Sequence, residues 1–208
     1  MSKLKGFTVS VCFLGLLLGG CNQGGTPETV TENTLSVNKE GVITEYLAGD
    51  FDRDYYDISE LESMAVQEAA GYNGKRPSGE TPPVRVEKVE ASQEGGTRAI
   101  LQYSYDSADT YRDFNQRLLY YGTVAQAGEY LEDLDSQAVL KGVKQGDTLA
   151  MAQLLKVQDK HVIITDVPAI IYCPYSVTYI SDGLAVREDG GVDTTGAMDS
   201  TAIIIMKK

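Results

Sequence analysis

The sequence predicts an α+β domain with a mostly antiparallel sheet and two short helices. Short runs of β-branched and aromatic residues recur along the chain, and turns rich in Gly and Asp separate many of them. Helical periodicity is confined to a few stretches among the strands, a pattern typical of the α+β class. The chain has 208 residues, of which 42% are hydrophobic, close to the fraction in ordinary globular domains. We therefore expect a single domain over 34–208.

The first elements of this domain are a hairpin and a helix. The β-prone runs 34–37 and 42–47 flank a turn that contains Gly, which predicts a short hairpin. The segment 57–71 is predicted to be the longer helix. Asp57 can cap its N-terminus, Glu60 follows three residues later as in a capping box, and its apolar residues fall on one face.

A second hairpin and the shorter helix are predicted next. The runs 84–90 and 97–105 alternate apolar and polar residues on either side of a Gly-Gly turn, as paired antiparallel strands do. Asp106 or Ser107 is expected to cap the second helix.

The second half of the domain is predicted to consist mainly of strands. These are expected over 118–125, 154–157, 161–165, 169–173, 177–181, 184–187 and 201–206. Strands 154–157 and 161–165 are expected to form a hairpin. Strands 177–181 and 184–187 are expected to form another through an Asp-Gly turn. The last strand contains three consecutive Ile residues, which predict burial on both faces. The segment 126–134 is ambiguous and at most helical.

Composition excludes several classes of function. The chain has 18 Lys and Arg against 30 Asp and Glu, for a net charge of −12, so a phosphate backbone would repel it and nucleic-acid binding is not expected. One His and three Cys cannot supply a His-rich metal centre, a disulfide scaffold or a four-cysteine zinc site. We expect no cofactor.

The N-terminus has the layout of a secretory signal. Lys3 and Lys5 precede an apolar run over 7–18, and Gly19 and Gly20 stand directly before Cys21. This run is too short to cross a bilayer as a helix, which takes about 20 apolar residues. A secretory signal with a cysteine placed by chance is the alternative that this layout leaves open.

The sequence Leu18-Gly19-Gly20-Cys21 resembles the lipobox of bacterial lipoproteins. The resemblance implies cleavage of a signal peptide over 1–20 and acylation of the Cys21 thiol. The polar segment after it, together with Cys21, would form a flexible tether over 21–33. The expected location is the extracytoplasmic face of the cell membrane, with the membrane as a partner through the lipid on Cys21.

Three carboxylates after the first hairpin form the weak candidate for a metal site. Asp50, Asp52 and Asp54 have the spacing of the first ligands in a calcium loop. Tyr55 stands where that loop needs Gly, and Leu61 stands where it needs a bidentate Glu. We therefore expect no metal here. The three carboxylates are expected to be solvated where the chain enters the first helix, near its N-terminal dipole. A calcium-dependent module is the alternative.

Other chemistry-bearing residues also have an ordinary structural interpretation. His161 begins a predicted strand and is expected at the surface or at a hairpin end. Cys173 lies in an apolar run and is expected to be buried and inert. Glu132, Asp133 and Asp135 could serve a carboxylate-dependent hydrolase only if the fold sets them across a cleft. No catalytic residue is assigned.

Tyrosines crowd one third of the chain and suggest either a half-buried sheet face or a binding face. They are Tyr103, Tyr105, Tyr111, Tyr120, Tyr121 and Tyr130. A half-buried sheet face is the expectation, and a binding face is the alternative.

The domain is similar to small acidic lipoproteins of Gram-positive bacteria, on the strength of segments 45–47 and 57–61. That similarity implies no particular activity. We expect a membrane-anchored, non-catalytic binding or envelope-associated domain whose protein or small-molecule partner is unknown. A carboxylate-dependent hydrolase and a calcium-dependent binding module are the alternatives.

Overall fold

The computed structural model describes residues 30–75, 81–91, 97–132, 138–197 and 200–208. Within these ranges the chain forms two sheets and three α-helices, two of which have eight residues or more. The sheets are mostly antiparallel, so the predicted α+β class is confirmed.

Thirteen strands and three α-helices are formed by the described residues. The strands are β1 (Thr34–Val37), β2 (Ile43–Asp50), β3 (Val84–Ala91), β4 (Arg98–Tyr105), β5 (Leu119–Thr123), β6 (Val139–Gly142), β7 (Thr148–Ala150), β8 (His161–Thr165), β9 (Ile170–Tyr172), β10 (Ser176–Ile180), β11 (Ala185–Val186), β12 (Val192–Asp193) and β13 (Ala202–Lys207). The α-helices are α1 (Ile58–Asn73), α2 (Ala108–Asn115) and α3 (Gly128–Glu132). Short 3₁₀ helices lie at Val124–Gln126, Met151–Val157 and Thr195–Ala197.

The first sheet has the strand order β11-β12-β9-β1-β2-β4-β3. Strands β1 and β2 form the first predicted hairpin, and β3 and β4 pair antiparallel as the second hairpin predicts. The turn predicted between β3 and β4 lies outside the described residues. β1 also pairs in parallel with β9, so the hairpin is extended by a strand from the C-terminal half of the chain.

The second sheet has the order β5-β8-β13-β10-β6-β7, and β13 is therefore an interior strand. Along β13, Ile204 and Met206 belong to the hydrophobic cluster shared with the first sheet. Ile203 and Ile205 belong to a second cluster on the opposite face. Because side chains alternate along a strand, this distribution buries β13 on both faces, and the prediction for this strand is confirmed.

Local capping signals define the two longer helices. The Asp57 carboxylate accepts hydrogen bonds from the backbone amides of Ser59 and Glu60, at 2.7 and 3.4 Å, and so caps α1. Ser107 caps α2 by accepting from the amide of Thr110 at 3.1 Å. Both N-cap residues are as predicted, but the Glu60 side chain does not complete a capping box with Asp57. The helix α1 also continues two residues past the predicted end.

The side chain of Asn73, the last residue of α1, fastens the helix to the first sheet. Its amide nitrogen donates to the carbonyl of Val84 at 2.7 Å, and its oxygen accepts from the amide of Val84 at 3.2 Å. This pair of bonds aligns the C-terminal end of α1 with the beginning of β3.

Two predicted hairpins are wrong. The segment 154–157 is part of a 3₁₀ helix, in which Met151 and Leu154 are both buried. Residues three apart face the same way in a 3₁₀ helix, so this apolar spacing fits a helical turn better than a strand.

The other incorrect hairpin joins β10 to β11. The predicted Asp-Gly turn does form, with Gly183 at a φ of +81°. The chain after it crosses to the other sheet, however, where β11 pairs with β12. A Cβ at Gly183 would lie 2.9 Å from the carbonyl oxygen of Gly196, so this crossing depends on close approach of two backbones. The short strands β6, β7 and β12 were not predicted, and the ambiguous segment contains α3.

Candidate functional site

A groove opens where the first two turns of α1 meet the end of β2 and the start of β4. Its volume is about 520 Å³. Leu47 and Leu101 from the sheet and Leu61 and Met64 from α1 supply much of its apolar lining. Apolar side chains of the sheet and of the N-terminal part of α1 are therefore exposed in the groove and are not fully packed against each other. We call this feature the α1 groove.

Three aromatic side chains stand together at the α1 groove. The Phe51 and Tyr56 rings have centroids 5.0 Å apart, and the Tyr55 and Tyr56 rings meet edge to face at the same distance. Tyr55 is 76% exposed and Tyr56 is 43% exposed. Exposed aromatic rings held by one another form a stable apolar contact surface with little rotamer entropy left to lose.

Carboxylates rim the α1 groove. Asp50, Asp57 and Glu60 all line it, and no Lys or Arg is present among the described residues of its lining. Asp57 is fixed by its cap, and hydrogen bonds from the hydroxyl and amide of Ser59 hold the pKa of its carboxyl below the usual value. The rim is therefore negatively charged at neutral pH and favours cationic groups on a partner.

The three aspartates predicted as weak calcium ligands lie beside this groove. Asp50 ends β2, Asp52 forms an ion pair of 3.5 Å with its neighbour Arg53, and Asp54 is exposed in the following turn. The structure does not bring them together as a metal site. Within the described ranges, no group of three or more His, Cys, Asp or Glu side chains could hold a metal ion.

A second pocket, of about 240 Å³, contains a buried carboxylate. Glu45 of β2 is only 6% exposed. Its carboxylate accepts hydrogen bonds from the hydroxyls of Tyr105, at 2.6 Å, and Tyr111, at 3.1 Å. The Tyr105 hydroxyl in turn accepts from the side-chain amide of Asn115 at 3.2 Å. We call this feature the Glu45 pocket.

Burial controls the electrostatics of this cluster. It raises the pKa of Glu45, and the hydrogen bonds from the two tyrosines partly offset that rise. Burial and the Glu45 charge both raise the pKa values of Tyr105 and Tyr111, so the phenols keep their protons. The carboxylate is thus held by neutral donors, with no cation bonded to it among the described residues.

Arg117 also lines the Glu45 pocket. Its Nε donates to the Asp166 carboxylate at 3.2 Å, and its Nη2 donates to the Asp166 carbonyl. Asp166 accepts as well from the backbone amide of Leu118 at 2.9 Å, which fixes the pair in place. The pocket therefore presents one acidic and one basic group.

Sequence reasoning did not single out Glu45. The signal that could have found it is the alternation in β2, where Ile43, Glu45 and Leu47 point to the same face of the strand. Ile43 is fully buried and Leu47 packs against the core, so a Glu between them has to be buried too. Its partners Tyr105 and Tyr111 are distant in sequence and could not be read from that pattern.

The clustered tyrosines do not share one surface. Tyr103, Tyr105 and Tyr111 are buried in the cluster between the sheets. Tyr120 and Tyr130 stack on each other 4.6 Å apart and pack against the second cluster. The six tyrosines therefore do not form a single binding face, although Tyr120, Tyr121 and Tyr130 line one pocket together.

The side chain of His161 is less exposed than predicted, and the hairpin expected before it does not form, whereas Cys173 agrees with its prediction. His161 begins β8, but it is half-buried, with its ring 5.7 Å from that of Tyr121 and 4.7 Å from that of Tyr175. Burial lowers its pKa. Cys173 is buried, as predicted, and burial raises the pKa of its thiol to about 12, which makes it a poor nucleophile.

The remaining predicted positions contribute no carboxylate pair. Glu132 is exposed at the end of α3, while Asp133 and Asp135 lie outside the described residues. Cys21 also lies outside them, so the proposed acyl acceptor has no structural description. Glu45 is the one carboxylate among the described residues that line its pocket, whereas glycosidase chemistry needs two.

Comparisons with known proteins give no relative for this chain: no family model, curated protein or solved structure matches it. None of the helices in the described part of the chain has the length and apolar character to cross a membrane.

Proposed function

We propose that this protein is a lipid-anchored, non-catalytic domain of the cell envelope that docks a cationic amphipathic segment of another protein in the α1 groove. The observation that carries the proposal is the combination in one groove of an apolar floor, exposed aromatic rings and a rim of carboxylates without a cation among its described residues. Each part of that combination selects a feature of the partner.

The apolar part of the groove selects an apolar face. Tyr55 and Met64 are 76% and 55% exposed, which is unusual for large side chains grouped on one surface. Aromatic and Met side chains are enriched at protein interfaces, where they supply much of the binding energy. A partner helix with apolar residues at positions i, i+3, i+4 and i+7 would fill such a groove.

The rim selects positive charge. Asp50, Asp57 and Glu60 lie beside the apolar floor, and the whole chain has a net charge of −12. This field attracts basic segments from a distance and orients them on approach. Lys or Arg on the flanks of the partner helix would meet the rim carboxylates, while an acidic helix of equal apolarity would be repelled.

The proposed anchor keeps the groove near the membrane surface. The motif that ends at Cys21 supports lipidation, and two or more acyl chains hold a protein stably in a bilayer. The tether that follows would reach at most about 40 Å when extended. The docked partner would therefore be a membrane-proximal protein or one that is recruited to the cell surface.

The test uses residues 21–208 carrying Cys21→Ser, a substitution that prevents lipidation. The ligand is a labelled helical peptide with Leu on one face and Lys on the other. We expect saturable binding by fluorescence anisotropy. Met64→Ser should weaken it by about tenfold, or about 1.4 kcal/mol, which exceeds the loss from most single interface side chains. Val139→Ser is the matched control, because Val139 is also exposed, at 48%, but lies outside the groove. Equal affinity of the two variants would contradict the proposal.

A further inference from the structure

The Glu45 pocket is distinct from the α1 groove in the chemistry it presents. It contains a carboxylate that is 6% exposed, an arginine, and apolar residues that include Leu35, Val167 and Ala169. At about 240 Å³ it is smaller than the sites that bind drug-sized ligands, so its size suits a small metabolite.

Glu45 keeps acceptor capacity for a ligand. An ionised carboxylate offers about four lone-pair positions, and hydroxyl donors from Tyr105 and Tyr111 occupy one on each oxygen. Those two donors also hold the carboxylate in one orientation. An ammonium group in the pocket would supply the positive charge that neutral phenols cannot, and would offset the cost of burying Glu45.

Arg117 is oriented for an anion. Asp166 engages its Nε and Nη2 and fixes the plane of the guanidinium, while Nη1 has no hydrogen-bond partner in the part of the chain that the structure describes. A guanidinium held on one edge presents its remaining N–H groups in a fixed direction, which suits a carboxylate.

The two charges together restrict the class of ligand. A simple anion would be repelled by Glu45. A simple cation would leave the Nη1 donors of Arg117 without an acceptor, because Asp166 pairs only with the other edge of that guanidinium. A molecule that carries an ammonium and a carboxylate a few bonds apart satisfies both. We propose that the Glu45 pocket binds a small α-amino acid with an apolar side chain, its ammonium on Glu45 and its carboxylate on Arg117.

The experiment is isothermal titration calorimetry on residues 21–208 with Cys21→Ser. The probes are L-leucine, L-leucinamide, which lacks the carboxylate, and N-acetyl-L-leucine, which lacks the ammonium. We expect L-leucine to bind, and both analogues to bind at least about tenfold more weakly, because each lacks one of the two charged groups that would contact Glu45 and Arg117. If L-leucine does not bind at about 10 mM, its Kd is too high for a specific site, and the proposal is overturned.

Variants then assign the contacts. Arg117→Gln changes a side chain that is 46% exposed, so the fold should be kept, and it should weaken L-leucine but leave L-leucinamide unchanged. Glu45→Gln should weaken both L-leucine and L-leucinamide. Binding of L-leucine that is unaffected by Arg117→Gln would contradict the assignment. Met64→Ser separates this site from the α1 groove, because it should leave L-leucine binding unchanged whether or not the peptide binds.

Discussion

The hydroxyl of Tyr105 lies 2.6 Å from the carboxylate of Glu45, and both side chains are buried between two sheets. The two residues are on neighbouring strands of the first sheet, and sixty residues separate them in the sequence. The contact places an acidic group inside the protein with a phenol, rather than a cation, as its nearest donor. Its consequence for stability can be measured directly.

Ionisation of Glu45 should lower the stability of the folded protein. The pKa of Glu45 is raised in the folded state, so the folded protein binds its proton more tightly than the unfolded chain does. The stability from this group is fully present below the unfolded pKa of about 4.3, and it is lost as pH rises through the folded pKa. Each unit of pKa difference corresponds to about 1.4 kcal/mol.

The measurement is urea unfolding of wild type and Glu45→Gln at pH 4 and pH 7. Gln has no charge to lose, so the stability of wild type relative to Glu45→Gln should decrease from pH 4 to pH 7. The exposed Asp57, Asp182 and Asp189 have lowered pKa values and act in the opposite direction, but they are common to both proteins. A wild type that gains stability relative to Glu45→Gln over this range would contradict the structure.

Cys173 should behave as a small core residue. Its thiol is buried, and Cys173→Ala should cost about 1 kcal/mol of unfolding free energy because it removes one buried atom and leaves a modest cavity. Urea unfolding measures this loss. In the native protein an aromatic disulfide reagent should label the thiol far more slowly than in urea. Rapid labelling of the native protein would show that the thiol is accessible.

The anchor is tested by cell fractionation. If Cys21 is the acyl acceptor, Cys21→Ser expressed from the full-length gene should leave the membrane fraction, or remain as the unprocessed precursor, and should not take up labelled fatty acid. Ser at another position in the tether, Asn22→Ser, is the matched control and should fractionate as wild type. Wild-type fractionation and lipid labelling of Cys21→Ser would refute the lipidation proposal.

Calcium should have little effect on stability. Asp50, Asp52 and Asp54 are not gathered into a metal-binding group, and thermal unfolding midpoints in EDTA, magnesium and calcium should agree to within about two degrees. If a calcium site existed, a calcium concentration about a hundredfold above its Kd would stabilise the protein by about 2.7 kcal/mol. The unfolding midpoint would then rise by several degrees. A calcium-selective shift of about five degrees that Asp52→Asn abolishes would establish a calcium site.

Features encoded by neighbouring residues were predictable from the sequence. The caps at Asp57 and Ser107 depend on hydrogen bonds within three residues, and the β1–β2 hairpin depends on a local turn. The Asp-Gly turn before β11 is likewise encoded by adjacent residues and forms as predicted. Its hairpin was wrong because the pairing partner of β11 is chosen by the tertiary structure, which brings β12 to it.

The candidate sites were predictable only in part. The sequence identifies the acidic segment near Asp50. The α1 groove beside it forms where Leu47 and Leu101 meet α1, and these segments come together only in the folded sheet. The Glu45 pocket is assembled from β1, β2, α2, the following Arg117 and the segment before β9. Strand alternation could indicate that Glu45 is buried, but it could not identify the tyrosines that hold the carboxylate.

The central claim is that rim carboxylates and apolar side chains of the α1 groove together hold a cationic amphipathic partner, and reciprocal charge reversal tests it most directly. Affinities are measured for the Lys-bearing peptide and for the same peptide with Glu in place of Lys. The proteins are the wild-type domain, Glu60→Lys, and the control Glu188→Lys, which makes the same change in net charge at an exposed position outside the groove.

The wild-type protein should bind the Lys peptide, and added salt should weaken this binding because it screens the rim charges. Glu60→Lys should weaken the Lys peptide by about fivefold to tenfold and improve the Glu peptide, whereas Glu188→Lys should do neither. Equal effects of Glu60→Lys and Glu188→Lys, or a wild-type protein that prefers the Glu peptide, would contradict docking in the α1 groove.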